Sequence, residues 1–188
     1  MRRALPLMLV SAALAHDVPH PRTLALRLSP AGISLRVDYE VGAGEQARAL
    51  RQAFDRDHDG RLDPSEQQAL TEHLARTAML RTRVSVDGVE VTLQRLSARA
   101  EKADHPASST ALLAVRIELR ASWTSGSGDW LGRRRISVKD EDPSGHVPVA
   151  VSCERCRISD ASSGAWEKTA GEERVLGANT PLELLVRL

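Results

Sequence analysis

Residues 22–28 alternate polar and apolar side chains, and a second alternating run follows from Ile33 to Val41. Side chains in a strand project to opposite faces with a period of two, so each run predicts a half-buried strand. Ser29-Pro30-Ala31-Gly32 supplies the turn between them, and the pair reads as an antiparallel hairpin. From Glu45 the period changes. Ala47, Leu50, Arg51 and Phe54 stand at helical spacing, and Leu70, Leu74 and Ala78 form a second helical stripe within Pro64 to Leu80. Asp63 followed by Pro64 fits an N-cap and first helical position.

Strand alternation returns at Arg83. Val84 and Val86, a tight Asp87-Gly88 turn, and then Val89, Val91 and Leu93 predict a second hairpin. Glu101 to Ser109 reads as a polar loop, and Leu112 to Trp123 as the longest strand. Thr124 to Asp129 is a Gly/Ser loop. Arg134–Val138 and Val147–Val151 are shorter strands, Cys153–Gly171 is mixed and turn-rich, and Leu182–Leu188 is a closing strand. The fold class expected is mainly β (α+β): an antiparallel β-sandwich-like domain with a helix-loop-helix inserted at about residues 45–80.

Met1-Arg2-Arg3, the apolar stretch Ala4–Leu14 and the small-x-small triplet Ala13-Leu14-Ala15 have the layout of a secretory signal. Residues 1–15 are therefore expected to be removed, leaving one domain over 16–188 in a periplasmic or secreted location. Loss of Arg2 and Arg3 takes the formal charge from +1 to −1. That balance argues against a nucleic-acid partner, which would require a basic excess. No apolar run reaches 18 residues, so no membrane-spanning helix is expected. Aromatic residues make up only 3 % of the chain, so the core must be built from aliphatic side chains.

Residues 55–66, Asp-Arg-Asp-His-Asp-Gly-Arg-Leu-Asp-Pro-Ser-Glu, match the calcium loop of an EF-hand. Calcium is a hard cation that takes six to eight oxygen ligands. Asp55, Asp57 and Asp59 supply carboxylates at loop positions 1, 3 and 5, and Gly60 permits the sharp turn at position 6. Arg61 offers its backbone carbonyl at position 7. Asp63 at position 9 can ligate through a water while capping the next helix, and Glu66 at position 12 supplies a bidentate carboxylate. Five acidic side chains gathered this closely repel one another unless a cation is present. A second such loop is not found, so Ca²⁺ is read as a structural clip rather than half of a sensor pair.

Cys153-Glu154-Arg155-Cys156 is a C-x-x-C pair without a thioredoxin-like setting or a second pair. It reads as a local disulfide across a turn, with a metal site or a redox pair as alternatives. His16 and His20 stand at the expected mature terminus, where an α-amine and imidazole offer a transition-metal alternative for Ni, Co or Cu. His58, His73, His105 and His146 form no cluster in sequence, and Trp123, Trp130 and Trp166 fall at strand ends or in loops. No nucleophile elbow, P-loop, zinc-protease motif or dinucleotide fingerprint is present. The chain therefore reads as a binding protein rather than an enzyme.

The order of these features resembles a known family. Ala15-His16 after the signal, two strands, the Asp55–Gly60 loop between helices, and the Val86-Asp87-Gly88 hairpin are similar to the exported N-terminal domain of NicO or HupE/UreJ-like nickel/cobalt permeases. The resemblance covers about residues 15–95. It implies a free-standing module working beside a separately encoded membrane permease, because the membrane helices of that family do not follow in this sequence.

Overall fold

The computed structural model describes residues 22–101, 105–122, 133–141, 146–160, 172–177 and 181–187. Among them are eleven strands and two helices, so the protein is mainly β. The predicted signal, His16, His20, Trp123, Trp130 and Trp166 lie outside the described residues.

The first hairpin forms as its alternation predicts. β1 (Arg22–Ser29) pairs antiparallel with β2 (Gly32–Val41), with Leu26 opposite Leu35. Gly32 makes the turn possible in two ways. Its φ is +141°, and a Cβ there would lie 2.5 Å from the Ala121 carbonyl oxygen. Only a residue without a side chain lets β2 start this close to its neighbour.

Helices α1 (Glu45–Phe54) and α2 (Pro64–Arg81) follow β2 and lead directly into β3 (Thr82–Val86). The second hairpin is shorter than its apolar spacing suggests. β4 covers only Val89–Glu90, and beyond it a single bond from the Val91 N–H to the Val84 carbonyl (2.9 Å) continues the contact.

β5 (Gln94–Glu101) escapes the sequence reading because its apolar alternation, Leu96, Ala98 and Ala100, is short and rests mostly on alanine. It is an edge strand of its sheet and keeps most of its side chains in solvent. A register shift between Arg95 and Ser97 leaves Leu96 60 % exposed. Bulges and charges of this kind blunt an edge against further pairing.

The remaining strands are β6 (Leu113–Ala121), β7 (Arg133–Asp140), β8 (His146–Cys153), β9 (Arg157–Asp160), β10 (Glu172–Gly177) and β11 (Leu182–Arg187). They complete two sheets, ordered β10-β8-β1-β2-β6-β5 and β4-β3-β7-β11-β9. Every pair is antiparallel except β1 with β8, which run parallel with Leu26 opposite Val151. The first sheet is therefore mixed rather than wholly antiparallel. The turn Cys153–Cys156 carries the chain from β8 in the first sheet to β9 in the second. Its two cysteines stand at disulfide distance, with Cα atoms 5.6 Å apart.

Both sheets and both helices contribute to one hydrophobic cluster. Ile33, Val37, Ile117, Ile136, Val138 and Leu70 are all at 0 % exposure. The aliphatic core expected from the low aromatic content is what forms. α2 lies against β5, β3, β6 and β2 and so covers part of the sheets.

One buried polar contact ties the sheets to each other. The Arg22 guanidinium on β1 donates to Asp140 on β7, and both side chains are almost wholly excluded from solvent. The Thr82 hydroxyl, where α2 meets β3, donates to the other Asp140 oxygen at 2.9 Å. A buried ion pair adds little against a well-packed apolar substitute, but losing one member strands the other charge. Asp140→Ala is accordingly expected to lower the unfolding free energy by about 3–5 kcal/mol, with Arg22→Met/Asp140→Leu recovering part of the loss. Urea unfolding of the three proteins checks this, and a cost below about 1 kcal/mol for Asp140→Ala contradicts the tie.

Candidate metal centre

The twelve residues from Asp55 to Glu66 join the end of α1 to the first turn of α2. Local chemistry folds them. Asp63 caps α2: its Oδ1 accepts the N–H groups of Ser65 (2.7 Å) and Glu66 (2.9 Å). Glu66 returns the contact, its Oε2 accepting the Asp63 N–H at 3.0 Å. This reciprocal capping box satisfies donors that the helix terminus otherwise leaves orphaned. The Glu66 backbone N–H, then the Ser65 bonds, hold the Asp63 carboxyl below its ordinary range.

Glu66 also closes the loop on itself. It is buried, and its Oε1 accepts the N–H of Arg56 at 2.6 Å. One carboxylate therefore bridges the second and ninth residues of the loop. Its charge lies in the first turn of α2, where the helix dipole favours an anion.

Between these anchors the chain coils tightly. His58 takes φ 59° and Gly60 φ 84°, two left-handed residues in three. Asp57 Oδ1 accepts the Asp59 N–H (3.2 Å), Asp59 Oδ1 accepts the Arg61 N–H (2.7 Å), and Asp55 Oδ2 accepts the Gly60 N–H (3.1 Å). The result brings carboxylate oxygens of Asp55, Asp57 and Asp59 within 4.8 Å of one another. Asp63 and Glu66 stand outside that group of three, and Arg61 is exposed beside it.

The three aspartates are not equivalent. Asp57 and Asp59 are exposed, whereas Asp55 is only 6 % exposed. Its Oδ1 is buried and has no hydrogen-bond partner among the described residues. A buried, unpartnered carboxylate oxygen is costly, and such atoms call for an explanation.

The loop is also held from outside. Leu62 is buried in the core cluster, and the Gly60 carbonyl accepts the Ala107 N–H at 2.8 Å. One turn before Asp55, Arg51 is at 0 % exposure. Its guanidinium donates to the carbonyls of Ala111 (2.7 Å), Leu112 (3.0 Å) and Ser109 (3.3 Å). The Gly44 N–H adds a bond to the Thr110 carbonyl at 2.8 Å. The segment leading into β6 is thus gripped by α1 and by the loop together. Phe54 and His73, with ring centroids 5.4 Å apart, join the end of α1 to the middle of α2.

The sequence places Arg51 only as a member of the helical stripe. A cation on an otherwise apolar stripe was the one local sign of this role, but its carbonyl partners lie about 60 residues ahead. Arg51→Met removes several charge-assisted bonds and leaves buried carbonyls unmet. The expected loss of stability is about 2–4 kcal/mol, read from thermal unfolding. A change under about 0.5 kcal/mol contradicts the grip assigned to it.

Neither the remaining histidines nor the groove at the other end of α2 adds a second centre among the described residues. That groove, about 340 Å³, is lined by Met79, Thr82, Arg83, Glu90, Val91, Thr92 and Leu93. No described helix is long and apolar enough to cross a membrane. No protein-family model matches the chain, and no curated protein matches it at a significant level.

Proposed function

We propose that this chain is an exported calcium-binding protein with a single EF-hand, in which Ca²⁺ acts as a structural clip. One observation carries the reading: the buried Asp55 Oδ1 without a partner, in a group with the carboxylates of Asp57 and Asp59. A cation supplies what that oxygen lacks and relieves the mutual repulsion of the three. The donor set is all oxygen, which suits a hard divalent ion.

Asp55, Asp57 and Asp59 would hold the ion with their carboxylates and Arg61 with its carbonyl. Asp63 would act through a water and Glu66 with its carboxylate. The N–H bonds already made by Glu66 do not bar it, since a carboxylate has about four acceptor sites. The chain then serves as a binding or interaction module, beside a membrane transport system as the family resemblance implies. The clip joins α1, α2 and the segment before β6, so its benefit is stability of the helix-loop-helix against the sheets.

A ligand bound only by the folded state adds RT ln(1 + [L]/Kd), about 2.7 kcal/mol at a hundredfold excess over Kd. For a chain of this length that corresponds to a rise in Tm of about 5–10 °C. Replacing EDTA by Ca²⁺ is expected to give this rise in the wild type and in Arg48→Gln. Asp55→Ala and Glu66→Gln are expected to abolish it. An equal rise in all four proteins, or none in the wild type, overturns the proposal.

A further inference from the structure

The outer face of the second sheet carries an arrangement of charge that folding alone does not favour. Arg133 on β7 stands directly opposite Arg187 on β11, and Arg187 directly opposite Arg157 on β9. Residues paired in this way share one face of the sheet, with Cβ atoms about 5 Å apart. All three side chains are exposed, while their chain neighbours Val186 and Ile158 point into the core. Arg135, two residues along β7, is exposed as well.

Like charges directly opposed weaken a ladder. A second opposed pair, Arg99 and Arg116 on β5 and β6, includes one cation held by an acid, and several other cations of the two sheets also meet acids. Arg116 bonds Asp38 at 2.7 Å, Arg27 bonds Glu154 at 2.7 Å, and Arg134 bonds Asp87 at 2.8 Å. Arg133 has contacts of its own, whereas the side chains of Arg157 and Arg187 have no hydrogen bond or ion pair among the described residues. The row does not reflect a general basic excess, because the formal charge of the whole chain is only +1.

We infer that this row is a docking surface for an acidic polysaccharide, laid across β7, β11 and β9 with its charged groups against the three arginines. The guanidinium fork matches carboxylate and sulfate oxygens in a bidentate manner. Adjacent strands stand 4.7–4.9 Å apart, about the advance of one sugar along an extended chain, so the row spans about 10 Å. A single small anion reaches at most two of the three cations, whereas a chain of repeating anions reaches all of them. Single-stranded nucleic acid is favoured less, because such sites stack bases on aromatic side chains. The described aromatic residues of this kind are Tyr39, buried in the first sheet, and Phe54 on α1. An anionic lipid surface is favoured less too, since the exposed large apolar side chains Leu80, Val89 and Leu96 belong to α2, β4 and β5.

The test is fluorescence anisotropy in EDTA, which removes calcium bridging, with labelled polygalacturonate and labelled dextran sulfate as probes. The wild type is expected to bind at least one polymer, and Arg157→Glu/Arg187→Glu to lose at least tenfold in affinity. Arg27→Glu, on the other sheet, is expected to bind as the wild type does. Raising salt from about 50 to 200 mM should weaken the wild type more steeply than the double variant. Arg187→Thr keeps the test sound should charge reversal disturb folding. Without polymer it is expected to melt about 1–3 °C above the wild type, because the repulsion is relieved. Equal binding by wild type and double variant, or binding of neither polymer, overturns the inference. So does a lower melting point for Arg187→Thr, or tighter binding of polyphosphate, oligo(dT) or anionic phospholipid vesicles than of either polysaccharide.

Discussion

The buried oxygen of Asp55 is the constraint around which the helix-loop-helix is arranged. The carboxylate sits where α1 ends, and one of its oxygens is already used to fix Gly60. The other is buried without a hydrogen-bond partner among the described residues, beside the two exposed carboxylates of Asp57 and Asp59. Burial penalises an unpaired charge steeply, so this geometry persists only if something compensates it. The surrounding loop spends its backbone on that end. Asp57, Asp59, Asp63 and Glu66 each accept loop or helix N–H groups, and the carboxylates of Asp55, Asp57 and Asp59 stay gathered together.

From that centre the connections run outward into the sheets. Gly60 reaches Ala107, Leu62 enters the core, and Arg51 holds three carbonyls before β6. α2 then delivers the chain to Thr82, which shares Asp140 with Arg22. The acidic loop and the tie between the sheets are therefore joined through one helix. A clip acting on the loop bears on the packing of α2 rather than on the loop alone.

Much of this was legible in the chain. Alternation located β1, β2, β6 and β11, and helical spacing located α1 and α2, because each buries one regular face. The acidic loop was legible because its chemistry depends on local spacing, and the Asp63–Glu66 capping box lies within four residues. β5 was hidden because its alternation is short and mostly alanine, its bulge turns Leu96 outward, and its Gln94, Arg95 and Arg99 stay in solvent. The parallel pairing of β1 with β8 was hidden because periodicity specifies a buried face and not a partner. Arg51 and Ala107 could not be linked for the same reason: the contacts that give them roles cross long stretches of chain.

The most direct test of the account is amide hydrogen exchange at Gly60, Leu62 and Ala107, with Ca²⁺ and with EDTA. These three amides report the loop turn, its anchor in the core and its bond to the segment before β6. Calcium is expected to slow exchange at all three in the wild type and at none of them in Asp55→Ala. Exchange at Ala107 that is indifferent to calcium, or slowed equally in Asp55→Ala, would contradict the claim that an ion at Asp55 clips the helices to the sheets.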